Sequence, residues 1–272
     1  MKATVLIDNI AQDELTGEWG LSILIEYEGK KYLLDAGTTG AFAENAEKLG
    51  INLSDIDFAV LSHAHYDHSD GFPCFFARNA TAPLYIREGA AENCYHAFGF
   101  IHKYIGVKKG MLTTYADRIR FAAGDFVLSD GVYLIPHKTE NLDAIGKSAK
   151  MCVRENGQYV WERFAHEQSL VFRTKKGLVI FNSCSHGGAA NIIREVMATF
   201  PNEPILALIG GFHLFASSDA KVRRLAEDIK ATGIRQVVTG HCTGEHAFSI
   251  LKTELGDCVS QLNSGLVLDF GD

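Results

Sequence analysis

A β-branched run at residues 4–7 gives way to a polar loop over 9–18, and apolar residues then return in two runs, 22–27 and 31–34. Glu28, Gly29 and Lys30 between those runs supply turn chemistry, so the pair reads as a β-hairpin. Residues 40–49 alternate with a helical period and stop at Gly50, and 56–61 is an apolar strand interrupted only by Asp57. Between 72 and 163 the pattern loosens into aromatics, a Lys-Lys-Gly turn at 108–110 and a strand-like GVYLIP at 131–136. Periodicity then sharpens: a hairpin over 169–183, a helix over 189–200 and a buried strand over 205–211. A helix over 219–232 ends at Gly233, a strand follows at 234–240, and a last helix over 245–255 ends at Gly256. Strands and helices mix throughout, with no internal repeat and no Pro/Gly-rich linker. One α/β (α+β) domain over 1–272 is expected, carrying an insertion or cap region at about 72–163, with sheets sandwiched by helices.

The apolar strand at 56–61 runs directly into LSHAHYDHSDG, so His63, His65, Asp67 and His68 stand at its C-terminal end, where such folds place ligand sites. Imidazole nitrogen and carboxylate oxygen suit zinc, iron or manganese. Alternation at 63 and 65 puts two imidazoles on one side, and Asp67 and His68 follow as the chain turns into a helix, aimed at a second ion. Two ions about 3.5–4 Å apart with a shared water make a hydrolytic centre. Further ligand types sit at later strand ends: Cys184 and His186 in NSCSHGG, His213 in GGFHL and His241 in TGHCTG. Gly187, Gly188 and the helix start near Ala189 offer backbone amides to an anion, or only a tight strand-to-helix turn.

Composition narrows the partners. A net charge of −7, with no basic tract, opposes nucleic-acid binding while leaving room for a local phosphate pocket. No apolar run approaches the roughly 20 residues of a membrane span, and the N-terminus turns acidic too soon for a signal peptide. Six scattered cysteines without a C-x-x-C pair read as reduced thiols, which places the chain in a cytoplasm.

HAHYDH, together with LIDN, GLSILIE, LLDAG, CSHGG, GGFHL and GHCTG, resembles the metallo-β-lactamase fold superfamily over nearly the whole chain. Within it the chain is similar to a subgroup that includes an archaeal synthase of methanopterin biosynthesis and many bacterial hydrolases. The resemblance implies an αββα sandwich with its metals along one edge of the two sheets and a long insertion after the H-x-H-x-D-H motif. It implies that His63 and His65 bind one ion with a further histidine downstream, that Asp67, His68 and His241 bind the other, and that Asp67 also positions the attacking water. Cys184 stands where hydrolytic relatives such as glyoxalase II carry a bridging aspartate, with His186 two residues on. His166 and His137 remain open as ligands, and HSDGF replaces the subgroup's more usual Thr-Gly-Gly.

The leading expectation is a metallo-hydrolase with two divalent ions, zinc first with manganese or iron fitting as well, acting on a small phosphorylated or ester-type metabolite. Asp67 and His213 are its catalytic candidates, His213 as a proton donor or substrate contact. The alternatives are a synthase-like transferase activating a pterin diphosphate leaving group, and a metal-binding protein without catalysis. Two-iron redox chemistry is opposed by His65, where relatives that perform it carry an acid. The aromatic insertion serves as a lid or as a contact between copies, so an oligomer is compatible with the sequence.

Overall fold

The computed structural model describes residues 1–271. The strands are, in chain order, β1 (Lys2–Ile7), β2 (Ser22–Tyr27), β3 (Lys30–Leu34), β4 (Phe58–Val60), β5 (Leu84–Arg87) and β6 (Cys94–Phe98). Next come β7 (Ile101–Tyr104), β8 (Ile119–Ala122), β9 (Phe126–Ser129), β10 (Val132–Pro136), β11 (Met151–Glu155) and β12 (Gln158–Trp161). The last six are β13 (Gln168–Thr174), β14 (Gly177–Phe181), β15 (Ile205–Ile209), β16 (Gln236–Thr239), β17 (Val259–Gln261) and β18 (Val267–Asp269). The helices are α1 (Ala41–Lys48), α2 (Tyr66–Ser69), α3 (Phe72–Arg78), α4 (Met111–Thr114), α5 (Leu142–Ser148), α6 (Ala189–Thr199), α7 (Asp219–Thr232) and α8 (Glu245–Leu255).

Two seven-stranded sheets form, ordered β18-β1-β2-β3-β4-β5-β8 and β17-β16-β15-β14-β13-β10-β9. Strand periodicity sets the layers. Ile23 and Ile25 of β2 join Val179 and Phe181 of β14 in the core between the sheets. Leu24, one residue out of phase, packs outward with Phe42 of α1 and Phe75 of α3, while Ile180 meets Ile192 of α6 and Ile229 of α7. Helix, sheet, sheet, helix is the order that results.

The stretch 72–163 divides between layers. Strands β5 and β8 complete the first sheet and β9 and β10 the second, while β6, β7, β11 and β12 build a separate four-stranded sheet. Beneath that sheet's inner edge, Met151 packs with Leu142 and Phe164 in a small core of its own. Strands β3 and β4 are parallel, as are β14, β15, β16 and β17. The segments that leave β3, β4, β14, β15 and β16 at their C-terminal ends carry the chemistry.

Candidate metal centre

Each ligand-type side chain is placed by the turn that follows a strand. The chain leaving β4 reaches His63, and His65 immediately precedes α2, so Asp67 and His68 lie within that one-turn helix. Turns after β14, β15 and β16 deliver Cys184 and His186, His213, and His241. Ser185, His213 and His241 all have positive φ, 51°, 48° and 48°, a left-handed conformation costly for residues with a Cβ and concentrated at functional sites. Gly71 lets the turn after α2 dock against the chain leaving β3: a Cβ there would stand 1.9 Å from the Ala36 carbonyl oxygen.

The rings converge. His63 Nε2 lies 3.3 Å from His186 Nε2, and His68 Nε2 lies 3.2 Å from both His241 Nε2 and Cys184 Sγ. The Asp67 carboxylate is 3.5 Å from His241 Nε2 and 3.8 Å from His68 Nε2. Second partners fix which nitrogen carries each proton. Asp35 accepts from His68 Nδ1 at 2.7 Å and from the Ser62 hydroxyl at 2.7 Å. With its proton committed to Asp35, the Ser62 oxygen accepts from His63 Nδ1 at 2.8 Å. His241 Nδ1 donates to Asn9 Oδ1 at 3.0 Å. In the neutral rings the Nε2 atoms of His63, His68 and His241 therefore present lone pairs into the gaps.

Facing lone pairs about 3.2 Å apart repel unless a cation lies between them. Two nitrogens bound tetrahedrally at about 2.0–2.1 Å are separated by about 3.3–3.4 Å, so the donor set and its spacing fit divalent ions. His63, His65 and His186 make one such group; His68, Cys184, Asp67 and His241 surround the adjoining gap. Burial and neighbouring imidazoles hold His63, His65 and His186 well below 6.5, which keeps them as neutral donors. Burial opposes charge on Asp67, yet His68, His241 and His65 outweigh it and hold the carboxyl well below its usual range. A proton competes for the second gap. Burial lowers His241, but Cys242, Asp67 and Asp8 more than reverse that and raise it to about 9.

The sequence candidates separate into two sets. His63, His65, Asp67, His68, Cys184, His186 and His241 come together, and His213 lies tilted against His186 with ring centroids 4.5 Å apart. His166 lies behind His65 with ring centroids 5.3 Å apart. Its Nδ1 accepts the Ala64 N–H at 3.1 Å, which directs its own ring proton away, toward Glu162 3.3 Å from Nε2. His137 bonds Glu167, and Glu195 at 3.1 Å. Glu167 in turn accepts the His186 and Gly187 N–H groups at 2.9 and 3.0 Å, so His137 braces the turn carrying His186.

Cys242, beside His241, is a thiol that sequence reasoning passed over. Its sulfur lies 3.3 Å from Cys184 Sγ and accepts the His213 N–H at 3.2 Å. Its position in GHCTG was the available signal. Asp35, Ser62 and Asn9 were also passed over.

The rings open into a cleft of about 640 Å³. Its mouth carries Trp19, Phe98 and Phe215 with Lys103, Lys150 and Lys221, and Asp67 is the one carboxylate among the described lining residues. Burial, with the charges of Lys150 and Lys103, lowers His96 at the same mouth.

A sequence model of the metallo-beta-lactamase superfamily matches residues 16–143. The chain is 29% identical over 274 residues to the "7,8-dihydropterin-6-methyl-4-(beta-D-ribofuranosyl)-aminobenzene-5'-phosphate synthase" of Methanocaldococcus jannaschii, covering 92% of this chain and 90% of that one. It superposes on the metallo-beta-lactamase fold protein YhfI from Bacillus subtilis with a TM-score of 0.60 at 14% identity, over 98% of each chain, a likeness of fold alone. It superposes on Tm1679, a metal-dependent hydrolase of the beta-lactamase superfamily, with a TM-score of 0.87 at 30% identity over 100% of both chains. Full-length similarity at that identity, on an αββα sandwich whose strand ends gather the histidines at one edge, makes this chain a member of the metallo-β-lactamase superfamily.

Proposed function

We infer that the protein is a metal-dependent hydrolase of a small anionic metabolite, a phosphorylated or related ester. The observation that carries this reading is the convergence of ring nitrogens to 3.2–3.3 Å beneath a cationic mouth. Lys103, Lys150 and Lys221 line that mouth, and among the described residues none of the three has a carboxylate partner. In a chain of net charge −7, such a focus of positive charge favours an anionic substrate.

His63, His65 and His186 would hold one divalent ion, and Asp67, His68, His241 and Cys184 the other. Bound there, such ions supply a water deprotonated near neutral pH and positive charge against an oxygen of the scissile bond. The lysines bind and orient the anion. Asp67 stays ionised at the floor and orients the attacking water. His213 lines the same cleft with a buried Nδ1 that has no hydrogen-bond partner, and it donates to the oxygen of the departing group. The aromatic mouth shields the reaction from bulk water.

A second reading, a transferase that activates a diphosphate leaving group, is favoured by the synthase among the relatives. Elemental analysis of protein prepared without chelator, beside His68→Ala and His186→Ala, tests the centre first. About two ions per chain, reduced in both variants, is the expected result. No metal after incubation with zinc or manganese would refute both enzymatic readings. A phosphoester panel then separates them: turnover with water alone supports the hydrolase, and a strict need for a second organic substrate supports the transferase.

A further inference from the structure

A second chamber, of about 420 Å³, adjoins the cleft and shares Ser148, Ala149, His186, His213 and Lys221 with it. Its floor is the start of α6, where Gly188, Ala189, Ala190 and Asn191 face the space. The helix has no side-chain cap. The N–H groups of its first turn therefore lack intrahelical acceptors and present the positive end of the helix dipole.

Two buried side chains at this floor add polar atoms without partners. Ser185 is 2% exposed and His186 5% exposed, and Ser185 Oγ and His186 Nδ1 have no hydrogen-bond partner. The other ring nitrogen of His186, Nε2, is turned toward His63 Nε2 at 3.3 Å. The unsatisfied groups are thus a hydroxyl, a ring nitrogen and the amides of a helix start. The hydroxyl and the helix-start amides are donors suited to an oxyanion. Lys221 and Arg224 stand among the lining residues, while Asp228, the chamber's one carboxylate among the described residues, is engaged by Arg194 at 3.4 Å. Ile145, Phe164 and Leu225 supply an apolar wall.

We propose that this chamber is an oxyanion site, taking a phosphate group at the start of α6 with Ser185 and Arg224 as its side-chain contacts, apart from the metal-facing ring nitrogens. On the hydrolase reading it holds the anionic end of the substrate remote from the bond that is cleaved. The site itself does not depend on that reading.

Calorimetric titration with inorganic phosphate tests it, using the protein as prepared and after dialysis against a chelator, so that ions in the first cleft cannot account for the binding. Ala189→Pro deletes one floor amide at a helix position where proline is tolerated, and Arg224→Glu reverses a charge on an exposed helix face. Phosphate binding is expected to survive chelation and to weaken about tenfold in each variant, the scale of one charge-assisted contact. Thermal melting verifies that each variant is folded, and Arg224→Glu carries the test if Ala189→Pro is not. Loss of all phosphate binding on chelation, or unchanged binding in the folded variants, would overturn the site. Because no turnover is read, a failure here is distinct from a failure of the hydrolase assignment.

Discussion

Asp35→Asn is the change that most directly tests how the rings are prepared. Asp35 is fully buried. Its Oδ1 accepts the Ser62 N–H at 2.7 Å, and its Oδ2 accepts both the Ser62 hydroxyl and His68 Nδ1 at 2.7 Å. An asparagine can keep the first bond only by turning its NH₂ toward the other two partners. A donor then faces the proton on His68 Nδ1, and the ring is driven to the tautomer with its proton on Nε2, inside the gap shared with His241. The same substitution frees the Ser62 proton to occupy His63 Nδ1. One nearly isosteric change that removes a single charge thereby turns lone pairs away from both candidate metal groups.

Outer partners of metal-ligating histidines typically contribute 10–100-fold to affinity, or about 1.4–2.7 kcal/mol. Since Asp35 supports two rings, the upper end of that range is expected. The assay is zinc affinity by competition with a chromophoric chelator, beside thermal melting of the metal-free protein. Some stability loss is expected without metal, about 1.5–3 kcal/mol for hydrogen bonds to a charged group. Ile229→Ala, buried in α7 away from the rings, serves as the control matched for stability. If Asp35→Asn bound zinc within twofold of the wild type, or if Ile229→Ala lost as much affinity, the tautomer argument would be refuted.

Two further outcomes follow from buried contacts. Burial lowers His137, but hydrogen bonds to Glu167 and Glu195 outweigh it and raise the imidazole to about 9, while the same contacts bring Glu195 to about 2 against burial. The raised histidine stabilises fully below about 6.5 and loses that contribution as pH climbs through about 9. The lowered carboxyl contributes above about 4.5 and loses it as pH falls toward 2. Metal-free protein should therefore melt highest between those limits, and His137→Gln should flatten the alkaline fall; an unchanged alkaline limb in urea or thermal melts would count against the pairing. Gly71→Ala forces a methyl to 1.9 Å from the Ala36 carbonyl and 2.6 Å from that of Thr39, both backbone. Its urea midpoint should show a loss of about 3 kcal/mol, the upper end for overpacking, and a loss under about 1 kcal/mol would mean that the turn after α2 yields freely.

How much of this was legible depended on the range over which each feature is encoded. Helices α7 and α8 are amphipathic segments closed by Gly233 and Gly256, and the sequence placed both at their observed bounds. Between 72 and 163 local pattern fails for stated reasons. Strand β12 is exposed at all four positions and so shows no alternation. Strands β5 and β8 are short and parallel, and each gains its partner across a long excursion of chain. The same distinction runs through the site. His63, His65, Asp67 and His68 are neighbours in sequence, and the later histidines announce themselves at strand ends. Asp35 reaches His68 across 33 residues and Asn9 reaches His241 across 232, separations that leave no mark on any local period. The candidate ligands can be read along the chain because one turn carries several donors. The protonation of those donors cannot, because it is set by acceptors that only folding brings near. A substitution at Asp35 or Asn9 would leave the H-x-H-x-D-H stretch intact while altering which nitrogens are free to bind, and that stretch therefore points to a metal centre only in company with residues outside it.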